Sequence, residues 1–114
     1  MSACKTVLFY AQDGRCFYCG KAMSLLRPKK HLIDRWCTAD HFWPRFDGFT
    51  LGHPLHEPEK LNCVAACKAC NETKDRDHPT DQEVIRAVIL WGDVLGKGVR
   101  EARAEYEQRQ RRAA

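Results

Sequence analysis

The most regular pattern of apolar positions lies in the second half of the chain. Val84, Val88, Trp91 and Leu95 recur at helical spacing, and Ile85 and Ile89 widen the same stripe. Thr80 with Glu83 three residues later fits a capping box, which predicts a helix starting just after Thr80. Gly92, Gly96 and Gly98 predict a split or bend, after which residues 99–112 return to a helix-compatible composition. Earlier segments are shorter. Residues 3–15 form an apolar stretch closed by the turn signal Asp13-Gly14. Residues 32–38 carry the apolar, aromatic and β-branched residues of a short strand, and residues 61–66 suit a second. Residues 67–76 lack Gly and Pro and suit a helix. Residues 21–30, with Lys21, Arg27, Lys29 and Lys30, read as a solvated basic loop. Residues 43–60 hold Pro44, Gly48, Gly52, Pro54 and Pro58 and read as loop.

Two short strands among helices predict a small α+β fold. With 114 residues there is room for about one domain. The expected division is a core over 1–79 and a helical extension over 80–114, packed on or beside it. No apolar run reaches the ~18–20 residues of a membrane span. Nor does the N-terminal stretch pair a basic region with an apolar one, so no signal peptide is expected. A reducing, cytoplasmic setting follows as the expectation. The formal charge is +4, from 19 Lys plus Arg against 15 Asp plus Glu. The clusters are Arg27, Lys29 and Lys30 in the first loop, and Lys97, Arg100, Arg103, Arg109, Arg111 and Arg112 near the end, the latter diluted by Glu101, Glu105 and Glu107.

Seven cysteines are many for this length, and in a reducing compartment they favour metal over disulfides. Cys16-x-x-Cys19 and Cys67-x-x-Cys70 form two matched knuckles. Four thiolates fill a tetrahedral zinc site and leave no open position, so the predicted zinc is structural. The 47 residues between Cys19 and Cys67 exceed the ~15–20 of a compact zinc module, so something substantial is inserted. Cys37 and Cys63 lie in the predicted strands and read as core, as do Phe42 and Trp43.

The insert contains Asp40-His41 with Pro44 three residues after the histidine, and it closes on Asn62, five residues before Cys67-x-x-Cys70-Asn71 with Lys74 three further on. In that order and spacing, residues 16–76 resemble the HNH endonuclease family, the ββα-metal nucleases. The resemblance implies a ββα-metal fold and a divalent-metal-dependent cut of a phosphodiester bond in DNA, leaving a 5′-phosphate and a 3′-hydroxyl. It implies that Asp40 and Asn71 ligate Mg2+ or Mn2+, that His41 is the general base, and that Asn62 holds the loop between the strands and so places His41. Imidazole exchanges protons near neutrality, which suits it to take a proton from water. A cation at the scissile phosphate stabilises the developing charge. Asn71 stands where many members have His, which shifts preference toward hard cations. Lys74 matches the family's helix lysine, a cation that a phosphate could meet. Alternation along a strand sends Asp40 and His41 to opposite faces unless the strand ends there.

Other histidines carry less. His53 and His56 lie in the Gly/Pro-rich loop and read as structural or exposed; His31 and His78 suggest no partner. The helix after Thr80 packs on the core or serves a homodimer. Two rivals stand beside the nuclease reading. One is a non-catalytic zinc module that binds nucleic acid or protein and has no use for Asp40, His41, Asn62 and Asn71 together. The other is a nuclease subunit active only in a larger complex, such as phage DNA packaging.

Overall fold

A computed structural model of the chain describes residues 2–43, 62–74 and 78–113. The expected loop over 43–60, with Pro44, His53 and His56, lies outside these apart from Trp43. The elements are helix α1 (Ser2–Ala11), a 3-10 turn (Lys30–Arg35), strand β1 (Cys37–His41), strand β2 (Cys63–Cys67), and helices α2 (Lys68–Lys74), α3 (Asp81–Val94) and α4 (Val99–Ala113). This is a small α+β fold. No helix among the described residues is long and apolar enough to cross a membrane.

The apolar stretch at the N-terminus is a helix. Val7 and Leu8 are buried, with Cys4 and Ala11 packed against the same core, so the spacing is helical over a run too short to announce it. The turn signal behaves as expected. Asp13 and Gly14 both take positive φ, 58° and 72°, and the Gly14 amide bonds back to the Phe9 carbonyl at 2.8 Å. A Cβ on Gly14 would lie 3.2 Å from the Phe9 ring, so both backbone and space favour glycine.

The first strand starts later than expected. Residues 30–35 form the 3-10 turn, and β1 begins at Cys37. The register explains the shift: Cys37 pairs with Cys67 and His41 with Cys63, antiparallel. Residue 68 already begins α2, so β2 offers no further strand residue to 32–36, and Trp36 makes only an isolated parallel bridge with Ser24. The other edge of β2 is covered rather than open. The Gln12 side chain donates to the Ala65 carbonyl at 2.8 Å and accepts from its amide at 3.0 Å, while the Phe17 amide also donates to that carbonyl at 3.0 Å.

The capping box forms as read: the Glu83 amide donates to Thr80 Oγ1 at 3.1 Å, and the Thr80 amide to Glu83 Oε1 at 2.9 Å. The buried face of α3 differs from the expected stripe. Ala87, Leu90, Trp91 and Val94 face inward, whereas Ile85, Val88, Ile89 and Leu95 are exposed. Apolar residues occupy more than one face of this helix, so periodicity alone does not choose. Trp91 decides, since its Nε1 donates to the Cys63 carbonyl at 2.9 Å and its ring meets Phe42 edge-on. Gly92 stays within the helix. The break comes at Gly96, with φ 79°, before α4 returns to pack on α1, where Tyr106 meets Tyr10 and the Arg109 guanidinium donates to the Tyr10 carbonyl and to Asp13.

Phe42 is the centre of the core. It has no exposure, and it meets the rings of Phe17, Trp43 and Trp91 edge-to-face at 5.8, 5.5 and 5.4 Å. Each such pair adds about 0.5–1.5 kcal/mol beyond area burial. Phe42→Ala is expected to cost about 3–5 kcal/mol in urea unfolding. A loss below 1 kcal/mol would show that the aromatic cluster is not the core.

Candidate metal centre and the β1–α2 seam

Both knuckles meet. The sulfurs of Cys16, Cys19, Cys67 and Cys70 all lie within 4.8 Å of one another, with Cys19 and Cys67 3.9 Å apart. A tetrahedral ion with Zn–S bonds of about 2.3 Å needs sulfurs about 3.8 Å apart, so only a small contraction separates this cluster from a zinc site. Four cysteines here can hold a structural metal such as zinc. The first knuckle is shaped by its backbone: the Cys16 amide donates to the Lys21 carbonyl, the Gly20 amide to the Cys16 carbonyl, and Gly20 turns the chain at φ 73°. The amides of Tyr18 and Cys19 donate to the Cys16 sulfur at 3.4 and 3.5 Å, which favours negative charge on it.

Arg35 completes the surroundings. Its guanidinium donates to the Cys67 sulfur at 3.0 Å and reaches the Cys19 sulfur at 3.9 Å. Four thiolates around a divalent ion leave a double negative charge, and Arg35 offsets part of it. Burial disfavours the Cys19 thiolate, but the Lys21 backbone amide and Arg35 outweigh it and bring that thiol down to about 6. Burial holds the Cys67 and Cys70 thiols above the ordinary range. An ion that binds must displace those protons, so uptake is favoured as pH rises.

Beside this cluster, α2 lies along β1. Asn71 Nδ2 donates to Thr38 Oγ1 at 3.0 Å, and Thr38 Oγ1 donates to the Ala66 carbonyl at 2.7 Å. Because the hydroxyl proton is spent on Ala66, Thr38 must accept from Asn71, which fixes which end of the amide faces the strand and leaves Asn71 Oδ1 out of this contact. Two residues along β1, Asp40 is buried. Its Oδ2 accepts from Tyr18 OH at 2.5 Å and from Lys74 Nζ at 3.2 Å. Burial and the Asp40 carboxylate push the Tyr18 hydroxyl well above its ordinary pKa, so it stays a donor. Lys74 also donates to the carbonyls of His41 and Phe42, both at 3.1 Å. Its ammonium is therefore turned inward and not outward toward a phosphate. Tyr18 and Lys74 also line, with Thr73, His78 and Glu83, a cavity of about 300 Å3.

Among the described residues, Asp40 and Asn71 share the seam between β1 and α2. His41 is the exposed last residue of β1. Asn62 is buried, and its Oδ1 accepts from the Trp43 amide at 3.0 Å, a side-chain-to-backbone bond across the mouth of the two strands. Two residues of the site escaped the sequence reading. Tyr18 lies inside the first knuckle, where spacing does not reveal a side chain's direction, and nothing in the pattern marks Arg35. Comparison with protein-family models, with curated proteins and with solved structures found no match.

Two outcomes follow from this geometry. Cys67→Ser removes a ligand and the acceptor of Arg35; bound zinc, measured by elemental analysis, should fall well below one ion per chain, with a lower melting temperature. Full zinc content with unchanged melting would exclude the four-sulfur site. Lys74→Met leaves the Asp40 carboxylate buried without its counter-ion, since the two side chains are only 12% and 7% exposed. The expected loss is about 3 kcal/mol in chemical denaturation; a neutral substitution would show that the pair has no structural role.

Proposed function

We propose that this chain is a divalent-metal-dependent endonuclease acting on DNA, with β1, β2 and α2 forming a ββα-metal unit clamped by a four-cysteine zinc. The observation that carries the reading is the β1–α2 seam. Asp40 directs Oδ2 at Tyr18 and Lys74, and Asn71 directs Nδ2 at Thr38, so each keeps one oxygen, Oδ1, for another partner. Two hard oxygen donors held on one seam suit Mg2+ or Mn2+. That ion would supply Lewis-acid stabilisation of charge on the phosphate and the leaving oxygen.

The chain's own residues would do the rest. His41, exposed at the end of β1, would take the proton of the attacking water. Asn62, by tying the Trp43 amide, would fix the backbone immediately after His41 and so its position at the strand end. Tyr18 and Lys74 would hold the Asp40 carboxylate in one orientation before any ion arrives, which lowers the cost of assembling the site. One observation favours a second reading. Lys74 already neutralises Asp40, as a non-catalytic zinc module would need for stability alone.

Cleavage of supercoiled plasmid separates the two. The zinc-loaded protein should nick or linearise DNA with Mg2+ or Mn2+, stop with EDTA, and lose activity in His41→Ala. Asn71→Ala should raise the metal concentration needed for half-maximal cleavage by at least about tenfold, one lost ligand being worth more than ~1.4 kcal/mol. A folded, zinc-loaded protein that never cuts would favour the binding module. Cleavage unaffected by His41→Ala would remove that residue from the base's role.

A further inference from the structure

Three cysteines stand outside the sulfur cluster, and two of them meet. The Sγ atoms of Cys4, in the first turn of α1, and Cys63, the first residue of β2, are 3.2 Å apart, across 59 positions of sequence. Both residues are partly exposed. Cys63 is held on all sides: it follows the buried Asn62, pairs with His41 in the sheet, and its carbonyl accepts from Trp91 Nε1. Cys37, by contrast, is fully buried, and burial raises its thiol to about 11. Two thiols in contact, fixed on separate elements and not needed by the metal cluster, need little movement to become bonded.

We propose that Cys4 and Cys63 form an oxidisable dithiol that closes into a disulfide on exposure to a small-molecule disulfide such as oxidised glutathione, fastening α1 to the start of β2. The Cys4 sulfur, as thiolate, attacks one sulfur of the oxidant and expels one glutathione thiolate. The Cys63 thiol then gives its proton to solvent, and its sulfur displaces the second glutathione from Cys4. Two protein thiols lose two electrons, and one disulfide becomes two thiols. The order of attack follows from the neighbouring Cys4 sulfur and burial, which together keep Cys63 protonated. The bond would pin the strand end that carries Asn62 and faces His41. It does not depend on the nuclease reading.

The test uses the full, zinc-loaded chain, treated with oxidised glutathione, denatured, alkylated and mapped by peptide mass spectrometry, with zinc measured in parallel. The expected product is a monomer with a Cys4–Cys63 linked peptide, two fewer alkylated thiols, and undiminished zinc. The closed loop of about 60 residues should raise the melting temperature by roughly 5–15 °C, reversed by dithiothreitol. In Cys4→Ser, the same treatment should leave no linked peptide and no rise. The proposal is overturned if both thiols remain alkylatable, if either ends as a stable glutathione adduct or an intermolecular bridge, or if the link joins a knuckle cysteine instead.

Discussion

The position of Cys67 constrains most of this structure. It is the last residue of β2, where it pairs with Cys37, and its sulfur belongs to the four-cysteine cluster. A slip of one residue in the sheet would turn that sulfur to the opposite face and break the cluster. The same slip would move Asp40 away from Tyr18, Thr38 away from Asn71, and the end of β1 away from Asn62. The cluster thus sets register as well as stability. In a chain of 114 residues with a modest core, a metal that joins the first knuckle to the β2–α2 junction is a natural staple.

The link between the cluster and the seam is short. Tyr18 sits between two cysteines of the first knuckle and donates to Asp40, so whatever orders the knuckle also orders that carboxylate. Arg35 works from the other side, on the sulfurs of Cys67 and Cys19. Lys74, at the end of α2, closes the arrangement by spending its donors on Asp40 and on two carbonyls of the β1 end. Buried ion pairs are poor sources of net stability, because desolvation cancels much of the attraction. Their worth here is geometric, since a carboxylate held at one oxygen by two donors has few orientations left.

What the sequence revealed and what it hid divide along physical lines. The knuckles and the capping box at Thr80 depend on local spacing and short-range chemistry, and each was legible; Asn62 was singled out only through the family resemblance, since its bond to the Trp43 amide spans 19 positions. The helix over Ser2–Ala11 was not, because ten residues show too few turns of periodicity to outweigh an apolar, β-compatible composition. The start of β1 was misplaced because strand length is set by the partner, and β2 ends where α2 begins. The buried face of α3 was partly misread because apolar residues wrap around it; only the tertiary contact of Trp91 with Cys63 and Phe42 selects one side. The sequence marked Lys74 by position but not by direction, and its inward turn reflects a partner, Asp40, that lies 34 residues away.

The distribution of charge bears on how a polyanion would be held under the proposed function. Half of the terminal cluster is occupied: Lys97 pairs with Glu105, Arg103 with Glu107 and Arg109 with Asp13, at 2.7, 3.2 and 2.8 Å. Such surface pairs are weak individually, at about 0–1 kcal/mol, yet each places an anion beside its cation and cancels the local field a phosphate would feel. The segment between the first knuckle and the 3-10 turn differs. Lys21, Lys29 and Lys30 are exposed there, and Arg27 is exposed while stacking on Trp36 at 5.3 Å. No acidic residue occurs from Arg15 to Ile33. Counter-ion release depends on clustered cations that are not already matched, so under the proposed function this segment, free of acidic residues, is a better candidate than the mixed-charge C-terminus to meet a phosphate backbone. It also leads through Arg35 into β1, which puts the gripping segment and the seam on one continuous stretch of chain.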